Sequence, residues 1–186
     1  MSHSNYFSLY FDRLYNRLQT VKSQDLEQVT QMTQQAHEQG RKIIVVGNGG
    51  SAAMASHVAV DFTKTVGMRA VNFNEADLLT CFSNDYGYEN WVAKALEFYA
   101  DPEDLAILIS SSGKSPNILN GARQAKGMGL SLVTLSGFSA DNPLRQLGDV
   151  NLWVESSDYN IVEMTHHVWL LSIIDYLIEK NQEKAE

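Results

Sequence analysis

Cysteine is nearly missing from this sequence: Cys81 stands alone among 186 residues. An internal disulfide framework is therefore excluded, and a reducing, cytoplasmic compartment is the simpler expectation. Basic residues are also scarce, with 14 Lys and Arg against 22 Asp and Glu and a net charge of −8. That deficit argues against a nucleic-acid-binding surface, which needs clustered cations to displace counterions. It also means that any anionic ligand has to be held by local donors rather than by a global field. The leading stretch, MSHSNYFSLYFDRL, lacks a long apolar run, so neither a secretory signal nor a membrane span is expected there. No linker, repeat or low-complexity segment interrupts the chain. Hydrophobic residues make up 44% and charged residues 19%, a globular balance that fits one domain over residues 1–186.

The first 40 residues read as a helical extension. Phe7, Phe11, Leu14, Leu18 and Val21 recur at helical spacing and form a stripe suited to the protein's own core or to a partner chain. Ser23 is the expected N-cap of a second helix that turns Leu26, Val29, Met32 and Ala36 inward and stops at Gly40. Beyond it, strands and helices alternate. Short apolar runs at Ile43–Val46, Leu105–Ile109, Leu130–Leu135 and Val150–Val154, with a weaker one at Ala70–Phe73, predict five strands. Helices are predicted over about Ser51–Thr65, Glu89–Tyr99, Pro116–Lys126 and Asn160–Lys180, the last apolar on most faces and so buried or at a subunit interface. Repeated βα units imply a parallel sheet flanked by helices, with ligands outside the carboxyl ends of its strands.

Two strand-to-helix loops carry the chemistry. Gly47-Asn48-Gly49-Gly50-Ser51-Ala52 lets the backbone approach an anion at a helix N-terminus. Read alone it also fits G-x-G-x-x-A, a weak dinucleotide fingerprint, with Glu75 as the ribose ligand; the bland alternative is a tight turn without a ligand. Ser110-Ser111-Ser112-Gly113-Lys114-Ser115 places four hydroxyls where a helix dipole points, which suits the three oxygens of a phosphate monoester. Its Gly-Lys-Ser triplet is not a nucleotide P-loop, because the glycine required five positions earlier is Leu108. A sugar phosphate can use both loops at once, phosphate on the serines and hydroxyls on the glycine turn. A dinucleotide needs only the first.

Asn48-Gly49-Gly50-Ser51-Ala52-Ala53, His57, Ser83-Asn84-Asp85-Tyr86-Gly87-Tyr88-Glu89 and Ile109–Leu119 together resemble the sugar isomerase (SIS) domain. Within it they are most similar to the sedoheptulose-7-phosphate (phosphoheptose) isomerases. The resemblance implies a flavodoxin-like α/β fold, a homotetramer with sites between subunits, and a phosphorylated sugar bound by Asn48, Gly49, Gly50, Ser51, Asn84, Asp85, Ser110, Ser111, Ser112 and Ser115, with no nucleotide cofactor. In those isomerases a His and a Glu on the helix after the glycine loop, and a Gln and a His on the last helix, hold zinc and perform acid/base work. His57 matches the first. Asp61 replaces the Glu, Glu163 the Gln, and Leu171 the final His.

These departures fall on the reactive centre. His57 and Asp61 lie four residues apart on one helix face, as do Glu163 and His167. His57, Asp61 and Glu163 are the expected ligands of zinc or another divalent ion. Asp61, Glu163 and His167 are the expected acid/base groups for moving a proton between adjacent carbons through an enediol. Three functions follow in order: an aldose–ketose isomerase of a ketose phosphate; a module that keeps the cradle but has lost the catalyst; and, from the first loop alone, a nicotinamide-dependent oxidoreductase.

Overall fold

The structure, a computed structural model, describes residues 3–183. Two helices lead, α1 (His3–Leu18) and α2 (Ser23–Glu38), followed by β1 (Ile43–Val46), α3 (Gly50–Asp61), β2 (Ala70–Val71), α4 (Ala76–Tyr86) and α5 (Trp91–Tyr99). The second half runs β3 (Leu105–Ser110), α6 (Pro116–Gly127), β4 (Ser131–Ser136), β5 (Val150–Trp153) and α7 (Tyr159–Glu183).

All five strands pair in parallel in the order β2-β1-β3-β4-β5. Side chains of a strand alternate between faces. Ile43, Val45, Leu105, Ile107 and Ile109 join one core beneath α2, α3 and α7, whereas Ile44, Val46, Ala106 and Leu108 join another beneath α5 and α6. Both faces being covered, β1 and β3 are buried throughout, and their sequences are continuously apolar rather than alternating. The chain leaves β1 for β2 on one side and returns to β3 on the other. The switch point is therefore the gap between the ends of β1 and β3, where Val46 pairs with Leu108 and where such sheets bind ligands.

Several expectations need correcting. Lys22, not Ser23, caps α2, and it makes no side-chain cap bond. The helix after the glycine loop is α-helical only to Asp61 and then widens into a π turn, Phe62–Val66, a distortion common beside functional residues. β2 is a two-residue edge strand. Helix α4 was not predicted, because it buries no side chain completely; Leu78, Leu79 and Phe82 only lean on the second core. The α1 stripe splits: Leu18 and Val21 pack on the first core, while Phe7 and Phe11 are 56% and 63% exposed. Helix α7 buries Ile161, Val162, Trp169, Leu170 and Ile174 but exposes Met164, Val168 and Tyr176. It is the one helix among the described residues long and apolar enough to cross a membrane, and half of that stretch is buried inside the fold.

His166 is one of the core residues of α7 and is completely buried. Its Nε2–H donates to the Ser136 carbonyl at 3.0 Å, and Nδ1 has no partner. Burial pushes its pKa down to about 4, the hydrogen bond opposing only in part. The native state thus keeps the ring neutral while the unfolded chain protonates it near pH 6.5. The unfolded state binds the extra proton, so this contribution is intact above pH 6.5 and is lost as pH falls toward 4. Urea unfolding across that window should lose about 1.4 kcal/mol per pH unit from this group. The His166→Gln variant should show a correspondingly flatter profile, and an unchanged profile would contradict the assignment.

Candidate active site

The glycine loop follows β1 because the backbone must turn sharply beneath a helix. Gly49 caps α3 at φ +56, a conformation L side chains avoid. A Cβ on Gly47 would lie 2.7 Å from the Cβ of Ser51, and Ser51, 2% exposed, packs beneath the turn. A Cβ on Gly50 would lie 2.1 Å from Glu163 Oε2. The carboxylate of Glu163 therefore rests against the loop backbone.

The serine loop follows β3. Gly113 turns it at φ +65, and a Cβ there would lie 1.9 Å from Asn142 Oδ1. Asn142 is a buried strut: Nδ2 donates to Ser136 Oγ and to the carbonyls of Gly137 and Ser139, while Oδ1 accepts from Arg145 N–H. At the mouth, Ser110 Oγ and Ser115 Oγ lie 3.0 Å apart. Ser111 Oγ is buried and has no hydrogen-bond partner among the described residues, a costly state unless a ligand supplies one. Ser112 Oγ accepts from the Lys114 N–H at 3.2 Å. Ser115 is the N-cap of α6 but makes no side-chain cap bond, which leaves that helix's first N–H groups directed at the loop.

The two loops are tied together. The carboxamides of Asn48 and Asn117 exchange hydrogen bonds, at 3.0 Å from Asn48 Nδ2 and 2.8 Å from Asn117 Nδ2. Tyr88 OH donates to Asn48 Oδ1 at 3.3 Å. The expected contact residue Asn48 thus has its side chain engaged as a strut, with Gly49 and Gly50 presenting backbone. Tyr88 and Asn117 lie within the motifs that carry the family resemblance but have no expected role there, and Asn142 lies outside them, its one local cue being its place before Pro143. Asn84 and Asp85 stand exposed at the end of α4, bonded to each other at 2.9 Å, and no hydrogen bond among the described residues brings them to the loops. Glu75 lines a groove of about 510 Å³ that borders the glycine loop at Gly49 and runs past Ala53 to Leu79.

Farther along α3 the imidazoles meet. His57 Nε2 lies 3.1 Å from Asp61 Oδ2, and His57 Nδ1 lies 3.0 Å from His167 Nε2. The rings cross edge to face at 82°. Burial lowers the His167 pKa, His57 lowers it further, and Asp61 opposes both. Burial raises the pKa of Glu163, which sits one helical turn before His167. Leu171, a turn beyond, packs against the first core.

The expected metal ligands do not converge. Both nitrogens of His57 are engaged, by Asp61 and His167, and the Glu163 carboxylate sits on Gly50. Among the described residues no group of three His, Cys, Asp or Glu side chains is arranged to hold a metal ion. The donor set therefore does not fit a divalent ion in this arrangement.

Comparison with known proteins accords with this architecture. Residues 6–137 match the family model of the SIS domain. A phosphoheptose isomerase of Helicobacter pylori is 32% identical over 182 residues, spanning 94% of this chain and 93% of that protein. One from Burkholderia pseudomallei is 38% identical over 136 residues, spanning 70% and 68%. Among solved structures, a phosphoheptose isomerase from Francisella tularensis superposes with a TM-score of 0.87 at 21% identity, covering 97% of this chain and all of that one. Another, from Neisseria gonorrhoeae, gives 0.85 at 23% identity over 95% and 98%. With its parallel sheet, its glycine and serine loops at neighbouring strand ends and this degree of likeness, the chain belongs to the SIS-domain family and, within it, to the phosphoheptose isomerases.

Proposed function

We propose that this protein interconverts a terminally phosphorylated ketose, sedoheptulose 7-phosphate or a sugar of similar length, and its aldose isomer. The observation that carries this reading is the presence of two centres, the hydroxyl pair of the serine loop and the imidazole pair of α3 and α7. The serine loop offers hydroxyls and helix N–H groups to a phosphate, while the imidazole pair lies seven residues beyond Gly50 along α3. At 1.5 Å of rise per residue that is about 10 Å. A substrate held by both centres runs past the glycine loop, so the length of the sugar is read by comparing heptulose and pentulose phosphates.

The directions of the hydrogen bonds assign the acid/base roles. A carboxylate only accepts, so His57 presents Nε2–H to Asp61 and accepts at Nδ1. His167 then donates from Nε2, and its Nδ1 keeps a free lone pair as the base. This nitrogen takes the proton from the hydroxyl-bearing carbon beside the carbonyl, and the electron pair forms the enediolate double bond. The former carbonyl oxygen receives the proton that the neighbouring hydroxyl gives up, that hydroxyl oxygen becomes the new carbonyl, and the base returns its proton to the former carbonyl carbon, so atoms and electrons balance. Positive charge formed on His167 is shared with His57 and stabilised by Asp61, as in other base–orienter arrangements.

Residues 1–40 form an extension of the single domain in this reading. The exposed aromatic face of α1, from Tyr6 and Phe7 to Tyr15, supports the homotetramer that the family resemblance implies, with light scattering as its check. The location is cytoplasmic.

Incubation of the purified protein with sedoheptulose 7-phosphate in D2O, with and without added divalent ions, should yield aldose phosphate with deuterium at the new carbon–hydrogen bond. A pentulose 5-phosphate should turn over more slowly. Saturable binding without turnover under every condition would sink the isomerase reading and leave a binding module.

A further inference from the structure

We propose that Glu163 makes this cleft selective for phosphate monoesters over diphosphates, by seating a carboxylate where a second phosphoryl group would rest on the glycine loop. The inference rests on the phosphosugar reading and adds to it the class of ligand that is refused.

The loops after β1 and β3 end neighbouring parallel strands, which lie about 4.8 Å apart. Each loop leads into a helix N-terminus, α3 or α6. Two such sites side by side are a natural seat for a diphosphate, one phosphoryl group per loop. The first loop also carries the G-x-G-x-x-A spacing that a nucleotide pyrophosphate uses. Glu163 breaks this equivalence. Its carboxylate lies against Gly50, the first residue of α3. Gly49 before it supplies no side-chain cap, and the carboxylate stands beside the first turn of α3, where its charge opposes the approach of a second anion to the helix dipole.

The placement is rigid. Val162, the preceding residue, packs on Gly137, where a Cβ would lie 2.8 Å from Val162 Cγ1. The Gly137 N–H is itself bonded to the Ser111 carbonyl at 2.9 Å. Glu163 is thereby mounted between the two loops. It is half-buried, and no side chain among the described residues donates a hydrogen bond to it or pairs with it. An ionised carboxylate accepts only. It welcomes the hydroxyls of a sugar chain leaving the serine loop, and it repels a second phosphoryl group.

The test is calorimetric titration of the full chain with inorganic phosphate, inorganic pyrophosphate and sedoheptulose 7-phosphate. The wild-type protein should bind pyrophosphate no more tightly than phosphate. In Glu163→Gln, which keeps the shape and removes the charge, pyrophosphate affinity should rise at least tenfold, with phosphate affinity changing less than threefold. Glu163→Met, neutral and of similar length, should shift the ratio the same way and covers the case in which the first variant fails to fold. An unchanged pyrophosphate-to-phosphate ratio in the folded variants, with sugar-phosphate binding retained, overturns the role of Glu163 alone. Loss of all phosphate and sugar-phosphate binding in the wild-type protein overturns the phosphosugar reading, and this inference with it.

Discussion

Replacing Asp61 by Asn should lower kcat by about 10³-fold or more while KM for the sugar phosphate changes little. The size of the effect follows from hydrogen-bond direction rather than from lost contact. Asp61 accepts from His57 Nε2 at 3.1 Å, and this fixes His57 Nδ1 as an acceptor for His167 at 3.0 Å. An amide can turn its N–H group to His57 Nε2, which reverses the tautomer of His57 and then that of His167. The base nitrogen would carry a proton when it needs a lone pair. Substituting the orienting carboxylate of a histidine base by its amide costs about 10⁴ in kcat in the best-studied hydrolase triad. His57→Ala removes the relay altogether and should cost about 10²–10⁴, the range of a general acid–base contribution. Steady-state kinetics with parallel binding titrations separate the two parameters. Wild-type kcat in Asp61→Asn would remove Asp61 from the mechanism, and a loss confined to KM would make it a binding residue instead.

The second large effect is expected at the phosphate cradle. Ser110→Ala combined with Ser115→Ala should weaken sugar-phosphate binding by a hundredfold or more. Hydrogen bonds to a charged group are worth about 1.5–3 kcal/mol each, and two are removed. Stability should change little. The two hydroxyls bond to each other at 3.0 Å, so deleting both leaves neither one unpartnered in the free protein, and exchanging a bonded polar pair for apolar groups is nearly neutral. Calorimetric titration reads the first effect and thermal melting the second. Unchanged affinity in a folded double variant would move the phosphate elsewhere. A collapse in melting temperature would mean that the pair is structural.

The two variant sets probe two different centres and should not resemble each other. The Asp61 substitution leaves a protein that binds and does not turn over. The serine substitutions leave a reactive centre that no longer holds its substrate in place. The charge on Glu163, between them, governs which anions enter.

Much of the fold was legible because it rests on local pattern. The strands β1 and β3 are buried on both faces, and burial on both faces forces unbroken apolar runs. The loops were legible because glycine and serine at strand ends have few other uses. Helix α4 was not: its apolar side chains are only partly covered, so no stripe with a clear period marks it. The cap of α2 falls one residue earlier than Ser23 because the chain is extended at Lys22, with φ −79 and ψ 132, and already helical at Ser23.

The sequence by itself determined a parallel α/β sheet, two strand-to-helix turns rich in glycine and serine, and a His and an Asp on one face of α3, since each of these follows from local pattern. Only the tertiary structure decided what those parts do to one another. It carried α7 across α3, so that His167 bonds to His57 over a separation of 110 positions, and it pressed Glu163 onto Gly50 instead of into a metal shell. The physical reason is that a helix's period tells which residues share its face, whereas the packing angle and register against a second helix depend on the summed fit of many side chains, and no motif encodes that fit.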